Sequence, residues 1–217
     1  MTAEIAALGD ADDGVEFLTG TVTTSVIRDD ALYAGVRVTM TARLATAQVK
    51  LRLDINFGDP VTPAPRMIEL PALRPDTAPV RVLGYPVETV LAEKITTAIG
   101  LGPASTRVRD WADIYTLTGT HQIDGAIARA AVESTAAFRG TTLIPLSRAI
   151  GELVALRNSA YTAYRRGLGP YGDSLPERFG DTVAAVIAFA DPLLDTANPA
   201  GRWNPDNRQW EMGDWPG

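Results

Sequence analysis

Residues 50–59 read KLRLDINFGD, an alternation of polar and apolar residues that ends in a Gly-Asp turn. Strand side chains point to opposite faces with period two, so Leu51, Leu53 and Ile55 share a face with Val49, while Lys50, Arg52, Asp54 and Asn56 take the other. A single carboxylate, Asp54, therefore stands on the polar face of a strand. It is either a solvated surface group or a ligand placed there for chemistry. Upstream, VEFLTGTVTTSVIRDD and YAGVRVTMTARLA alternate in the same way, and the short breaks at Asp29-Asp30 and Ala45-Thr46 predict antiparallel hairpins. Val36, Val38, Met40, Ala42 and Leu44 are expected on the same apolar face as Val49, Leu51, Leu53 and Ile55.

Downstream the pattern changes. The proline-rich stretch from Pro60 to Pro86 reads as a connector with short extended pieces. Pro86 then suits a first helical position, and VETVLAEKITTAI sets Val87, Val90, Leu91, Ile95, Ala98 and Ile99 along one stripe until Gly100 and Gly102 end it. Glu88, Glu93 and Lys94 lie off that stripe. After the loop GLGPAST, RVRDWADIYTL places Val108, Trp111, Ala112 and Tyr115 at helical spacing. Further helices are expected over Ile123 to Arg139, Ser147 to Arg166 and Arg178 to Asp191, and the tail from Pro192 reads as irregular.

The chain has 217 residues, 46% of them apolar, which suits a globular protein with a real core. It has no cysteine and one histidine, His121, which excludes disulfides, thiolate chemistry and multi-histidine metal sites; any metal would be held mostly by oxygen. A net charge of -6 argues against indiscriminate nucleic-acid binding, which depends on neutralising phosphates. No apolar run approaches the roughly 18 residues needed to cross a membrane, and the acidic N-terminal segment is unlike a signal peptide, so a cytoplasmic location is expected.

The strand ending LDINFGD, the YPVETVLAEKITTAI helix and RVRDWADIYTL, in that order, resemble the AbiEii-type nucleotidyltransferase toxins, whose mycobacterial members are called MenT toxins. The resemblance covers roughly residues 48 to 120. It implies an α+β fold: a DNA polymerase-β-like nucleotidyltransferase core with an antiparallel or mixed sheet over 1–120, then a helical C-terminal region over 121–217. It also implies a nucleoside triphosphate as nucleotide donor, Mg2+ or Mn2+ as cofactor, tRNA as acceptor, and a cognate AbiEi-like antitoxin as partner.

Residue by residue, the resemblance makes Asp54 the carboxylate that holds a metal near the attacking hydroxyl. Lys94 becomes a point charge against the triphosphate, which stabilises charge as pyrophosphate leaves. Asp110 orients Lys94 or the nucleotide, and Arg107 and Arg109 are available to phosphate. Other readings stand beside these. An Asp110/Arg107 pair is also an ordinary i,i+3 ion pair on a helix surface, and Asp113 is read in that bland sense. His121 reads as a loop residue, and Trp203, Trp210 and Trp215 read as packing the tail onto the body.

One departure from the family pattern is expected to matter. A glycine-serine turn followed by an Asp-x-Asp strand should precede Asp54 by several tens of residues, and residues 1–50 do not supply it. Asp10, Asp12 and Asp13 cluster in a polar, glycine-flanked segment that reads as a loop or helix cap. An upstream start, a degenerate copy, or ligands from elsewhere in the fold would each account for this. With one of three expected carboxylates the chain is expected to be nearly inert, because losing even one preorganised electrostatic contact costs roughly 10²- to 10³-fold in rate. The alternative is a catalytically inactive module that binds tRNA or antitoxin, with arginines 129, 139, 148, 157, 165 and 166 as a local basic patch.

Overall fold

The structure, a computed structural model, describes residues 14–29, 33–56, 60–72, 74–195 and 201–211. It is α+β, with antiparallel sheets and a helical majority in its second part. Two compact units divide it, Met1–Asp59 and Pro60–Gly217. The functional boundary expected at residue 120 falls within the second unit. Asp10, Asp12, Asp13 and Trp215 lie outside the described residues.

The first unit is a meander of β1 (Val15–Asp29), β2 (Tyr33–Leu44) and β3 (Ala47–Asn56), in the order β1-β2-β3. The β2–β3 register sets Val36, Val38, Met40 and Ala42 opposite Ile55, Leu53, Leu51 and Val49, the apolar face that the alternation predicts. Met40 and Ala42 are buried on it, whereas Leu44, Val49, Leu51 and Leu53 are exposed. The β1–β2 register shifts between Leu18 and Thr23, where the extra residues bulge out. There the Thr41 N–H donates to the Thr21 hydroxyl at 2.9 Å, and that hydroxyl donates to Leu18 O at 2.7 Å. A side chain thus closes the gap that the bulge opens in the ladder.

The second unit begins with the proline-rich stretch, which holds a two-stranded hairpin of β4 (Arg66–Leu70) and β5 (Val80–Gly84). Helices α1 (Val87–Leu101), α2 (Val108–Thr118), α3 (Gly125–Arg139), α4 (Leu146–Ala149), α5 (Leu153–Gly167) and α6 (Phe179–Leu194) follow. Their apolar stripes meet in one core that includes Leu91, Ile95, Trp111, Ile114, Tyr161, Phe179 and Phe189. Tyr161 stacks on Phe179 with ring centroids 4.9 Å apart, and Trp111 meets the same ring edge-on at 6.2 Å, both favoured aromatic geometries.

Three expectations are corrected. The helix expected from Ile123 starts at Gly125, because Asp124 caps it, accepting from Ile127 N at 3.0 Å, while Ile123 and Asp124 form a short strand, β6. The single helix expected over 147–166 is two, α4 and α5, separated at Gly151, whose φ of 47° lies in the left-handed region that a continuing helix cannot use. The tail is not irregular throughout. Strands β7 (Arg202–Asn204) and β8 (Gln209–Glu211) form a hairpin that joins β6 in a three-stranded sheet. Trp203 is fully buried and meets Phe189 edge-on at 4.9 Å, while Trp210 stacks on Phe189 at 5.1 Å. The tail packs onto the body, as its tryptophans suggest.

Candidate active site

Helix α1 buries Leu91, Ala92, Ile95, Ala98 and Ile99, which turns Lys94 toward the flank of the core with its side chain 19% exposed. Helix α2 buries Trp111, Ala112 and Ile114 and so presents Asp110 and Asp113, three apart, on one side. The two flanks meet. Lys94 Nζ donates to Asp110 Oδ1 at 2.7 Å and to Asp113 Oδ2 at 2.8 Å. Arg107 Nη1 lies 3.8 Å from Asp110 Oδ2 and Arg109 Nε lies 3.7 Å from Asp113 Oδ2. Three cations and two anions thus alternate along the cluster. Burial works against the charge on Lys94, but the hydrogen bonds and charges of Asp110 and Asp113 outweigh it and hold the ammonium above its ordinary pKa.

Two sets of contacts fix the helices that carry this cluster. At the end of α1, Gly102 has a φ of 54°, and a Cβ there would lie 3.0 Å from Ala149 O, so the turn requires glycine. Arg157 donates to Ser105 O at 2.7 Å and to Ala104 O at 3.1 Å, pinning the connection to α2. At the far end of α2 the tail supplies donors: Trp203 Nε1 bonds the last-turn carbonyl Thr118 O at 2.7 Å, and Arg208 Nη1 bonds Tyr115 O, which also accepts from Gly119 N, at 3.0 Å. The Arg208 guanidinium also lies over the Tyr115 ring, 3.8 Å from its centroid.

Asp54 belongs to the first unit. It stands directly opposite Arg37 in the β2–β3 ladder, and both of its oxygens are engaged there: Arg37 Nε donates to Oδ1 at 2.7 Å and Arg37 Nη2 to Oδ2 at 2.8 Å. This is the bidentate fork that guanidinium and carboxylate favour. The Arg37 bond holds the Asp54 carboxyl below the ordinary carboxylate range. Arg43 pairs with Glu16 on the same sheet face.

Magnesium requires several oxygen ligands at roughly 2.0–2.1 Å. Among the described residues no group of three or more His, Cys, Asp or Glu side chains converges. Asp54 is forked by Arg37 and the α2 aspartates by Lys94, so the described residues do not fit a divalent ion as they stand.

The remaining candidates take structural places. His121 Nδ1 makes local contacts with Thr120 Oγ1 at 2.9 Å and Leu117 O at 3.1 Å. Four of the six arginines expected as a basic patch are engaged with main-chain carbonyls: Arg129 with Pro192 and Asp195, Arg139 with Glu93, Arg157 with Ser105 and Ala104, and Arg165 with Leu175. Sequence reasoning missed two participants. Asp113 bonds Lys94 as closely as Asp110 does, and Arg37 neutralises Asp54.

A family model described as "Nucleotidyl transferase AbiEii toxin, Type IV TA system" matches residues 3–188. No curated protein matches the chain, and no solved structure does.

Proposed function

The chain belongs to the AbiEii nucleotidyl transferase toxin family of type IV toxin-antitoxin systems, and from that premise we propose that it transfers a nucleotide from a nucleoside triphosphate to tRNA, blocking translation. Membership implies an antitoxin partner; the proposed one is AbiEi-like. No described helix is long and apolar enough to cross a membrane, and the cytoplasm, where tRNA is found, is the proposed location. Kinship with the mycobacterial MenT toxins is part of the same reading, as is a functional core over residues 1–120.

The observation that carries the proposal is the Lys94 cluster. An ammonium has three donors, and two of those on Lys94 are taken by Asp110 and Asp113. The third is available to one phosphate oxygen, where a fixed positive charge favours the departure of pyrophosphate. Asp110 holds the lysine in place. Arg109 stands 3.7 Å from Asp113 and is 76% exposed, so it can turn toward a further phosphate oxygen at small cost; Arg107, beside Asp110, is the other proposed phosphate contact. Nucleotidyltransferases generally use a divalent metal as well as a nucleoside triphosphate. Asp54 is the proposed carboxylate on the acceptor side, and because Arg37 occupies both its oxygens, no step is assigned to Mg2+ or Mn2+ there.

A second reading follows from the Arg37 fork on Asp54 and from the lack of a converged carboxylate set among the described residues: an inactive module of this fold that binds tRNA or antitoxin. Equilibrium binding separates the two. The transferase reading predicts that the chain binds a nucleoside triphosphate and that Lys94→Ala weakens this binding tenfold or more, about 1.4 kcal/mol. Salt-sensitive tRNA binding with no triphosphate binding would support the module and count against the enzyme.

A further inference from the structure

We infer that Asp113 is a positioning residue for Lys94, forming with Asp110 a two-carboxylate clamp that leaves one ammonium N–H for a phosphate oxygen. The clamp rests on the nucleotide reading of the site given above. The geometry separates it from the surface ion pair that the spacing of Asp113 and Arg109 suggests. Asp113 Oδ2 lies 2.8 Å from Lys94 Nζ but 3.7 Å from Arg109 Nε, and only the first is a hydrogen bond. Exposure agrees, because the Lys94 side chain is 19% exposed and that of Arg109 is 76% exposed.

Two anchors do what one cannot. A flexible four-carbon stem bonded to Asp110 alone leaves the ammonium free to pivot about that bond; a second carboxylate one helical turn away fixes the direction of the remaining N–H. Neighbouring groups restrict the stem too. Arg139, at the end of α3, donates to Glu93 O at 3.1 Å and to Thr97 Oγ1 at 2.9 Å, which holds α1 on either side of Lys94. The charged groups facing the ammonium are Asp110 and Asp113, with Arg107 and Arg109 behind them. The clamp also keeps Lys94 protonated, since its two carboxylates outweigh the burial that opposes the charge.

The composition supplies an internal standard, because the chain has only two lysines, Lys94 and the exposed Lys50. Trace acylation with acetic anhydride, read by mass spectrometry across pH, compares their reactivities in the folded full chain. The clamp predicts that Lys94 reacts more slowly than the exposed Lys50 and that Lys94 titrates above the ordinary lysine value. Asp113→Asn should raise Lys94 reactivity several-fold, as should Asp110→Asn, while Arg109→Gln should leave it within twofold. An Asp113 that pairs only with Arg109 would leave Lys94 unmoved in Asp113→Asn, and that result would overturn the inference. Should Asp113→Asn fail to fold, the unmutated chain still decides: a Lys94 midpoint at or below the ordinary lysine value of about 10.4 also overturns it. Protection of Lys94 by ATP is read in the same samples. Its absence with the reactivity shifts intact would count against the nucleotide reading and not against the clamp.

Discussion

Arg37 and Asp54 face one another across the β2–β3 ladder and share two parallel hydrogen bonds, of 2.7 and 2.8 Å. The carboxylate that the family resemblance marks for metal binding is therefore already neutralised by a guanidinium from the neighbouring strand. Because Asp54 is held below its ordinary pKa, the stability it contributes is present above the unfolded value, near 3.9, and is lost as pH falls through the folded one. A carbonyl-carbon NMR titration should give Asp54 a midpoint below about 3.9, and Arg37→Gln should move it back up. An unchanged midpoint in the variant would show that the fork does not persist in solution.

Removing Lys94 takes away the hydrogen-bonded cation that Asp110 and Asp113 share and leaves them only the looser pairs with Arg107 and Arg109, at 3.8 and 3.7 Å. Breaking a buried pair from one side costs about 3–5 kcal/mol, and partial exposure here reduces that to about 2–3 kcal/mol for Lys94→Ala. Neutralising all three, with Lys94→Met, Asp110→Asn and Asp113→Asn, should recover most of the loss in urea unfolding. The folded pKa of Lys94 is raised, so its contribution is complete below the ordinary lysine value near 10.4 and disappears only as pH climbs through the raised one. The stability gap between the native chain and Lys94→Ala should accordingly be flat from about pH 6 to 9.

The tail should matter to the cluster although it lies far from it in sequence. Trp203 is fully buried and bonds Thr118 O, at the end of the helix that carries both aspartates. Trp203→Phe loses that bond and part of the volume, an expected cost of about 1–3 kcal/mol in thermal unfolding. The same variant should broaden the Lys94 side-chain NMR signal. A stable variant with an unaltered signal would show that the tail is independent of the site.

In the first unit, Ala45 carries a φ of 52° at the two-residue turn between β2 and β3. Left-handed backbone costs a residue with a Cβ roughly 1–2 kcal/mol, a penalty that glycine avoids at some cost in unfolded-state entropy. Ala45→Gly should raise stability by about 0.5–1 kcal/mol in urea titration. A loss of stability would mean that the turn is not left-handed at Ala45.

Much of this was legible in the sequence, for identifiable reasons. Period-two alternation set the register of β2 and β3 because one face was consistently apolar, and the stripes of α1 and α2 were long enough to declare themselves. The tail hairpin was hidden because strands of three residues are too short to alternate, and β7 pairs with a β6 some 80 positions earlier. Gly151 did mark the break between α4 and α5, but the apolar pattern on both sides masked it.

At the candidate site, the spacing showed that Asp110 and Asp113 share a helical face but not what that face meets. Only packing α1 against α2 makes Lys94 their common partner. Arg37 left a signal that went unused. The two-residue turn pairs Leu44 with Ala47, and counting outward from it pairs Arg37 with Asp54.

The central claim is nucleotidyl transfer that depends on Lys94, and it is tested most directly by incubating the chain with α-³²P-labelled nucleoside triphosphates, magnesium and total tRNA. The account predicts labelled tRNA from at least one of the four nucleotides, at the slow rate expected of a site with one of three carboxylates, and a further fall of roughly 10²-fold or more in Lys94→Ala. Labelling that is unchanged in Lys94→Ala, or absent with every nucleotide, would contradict it.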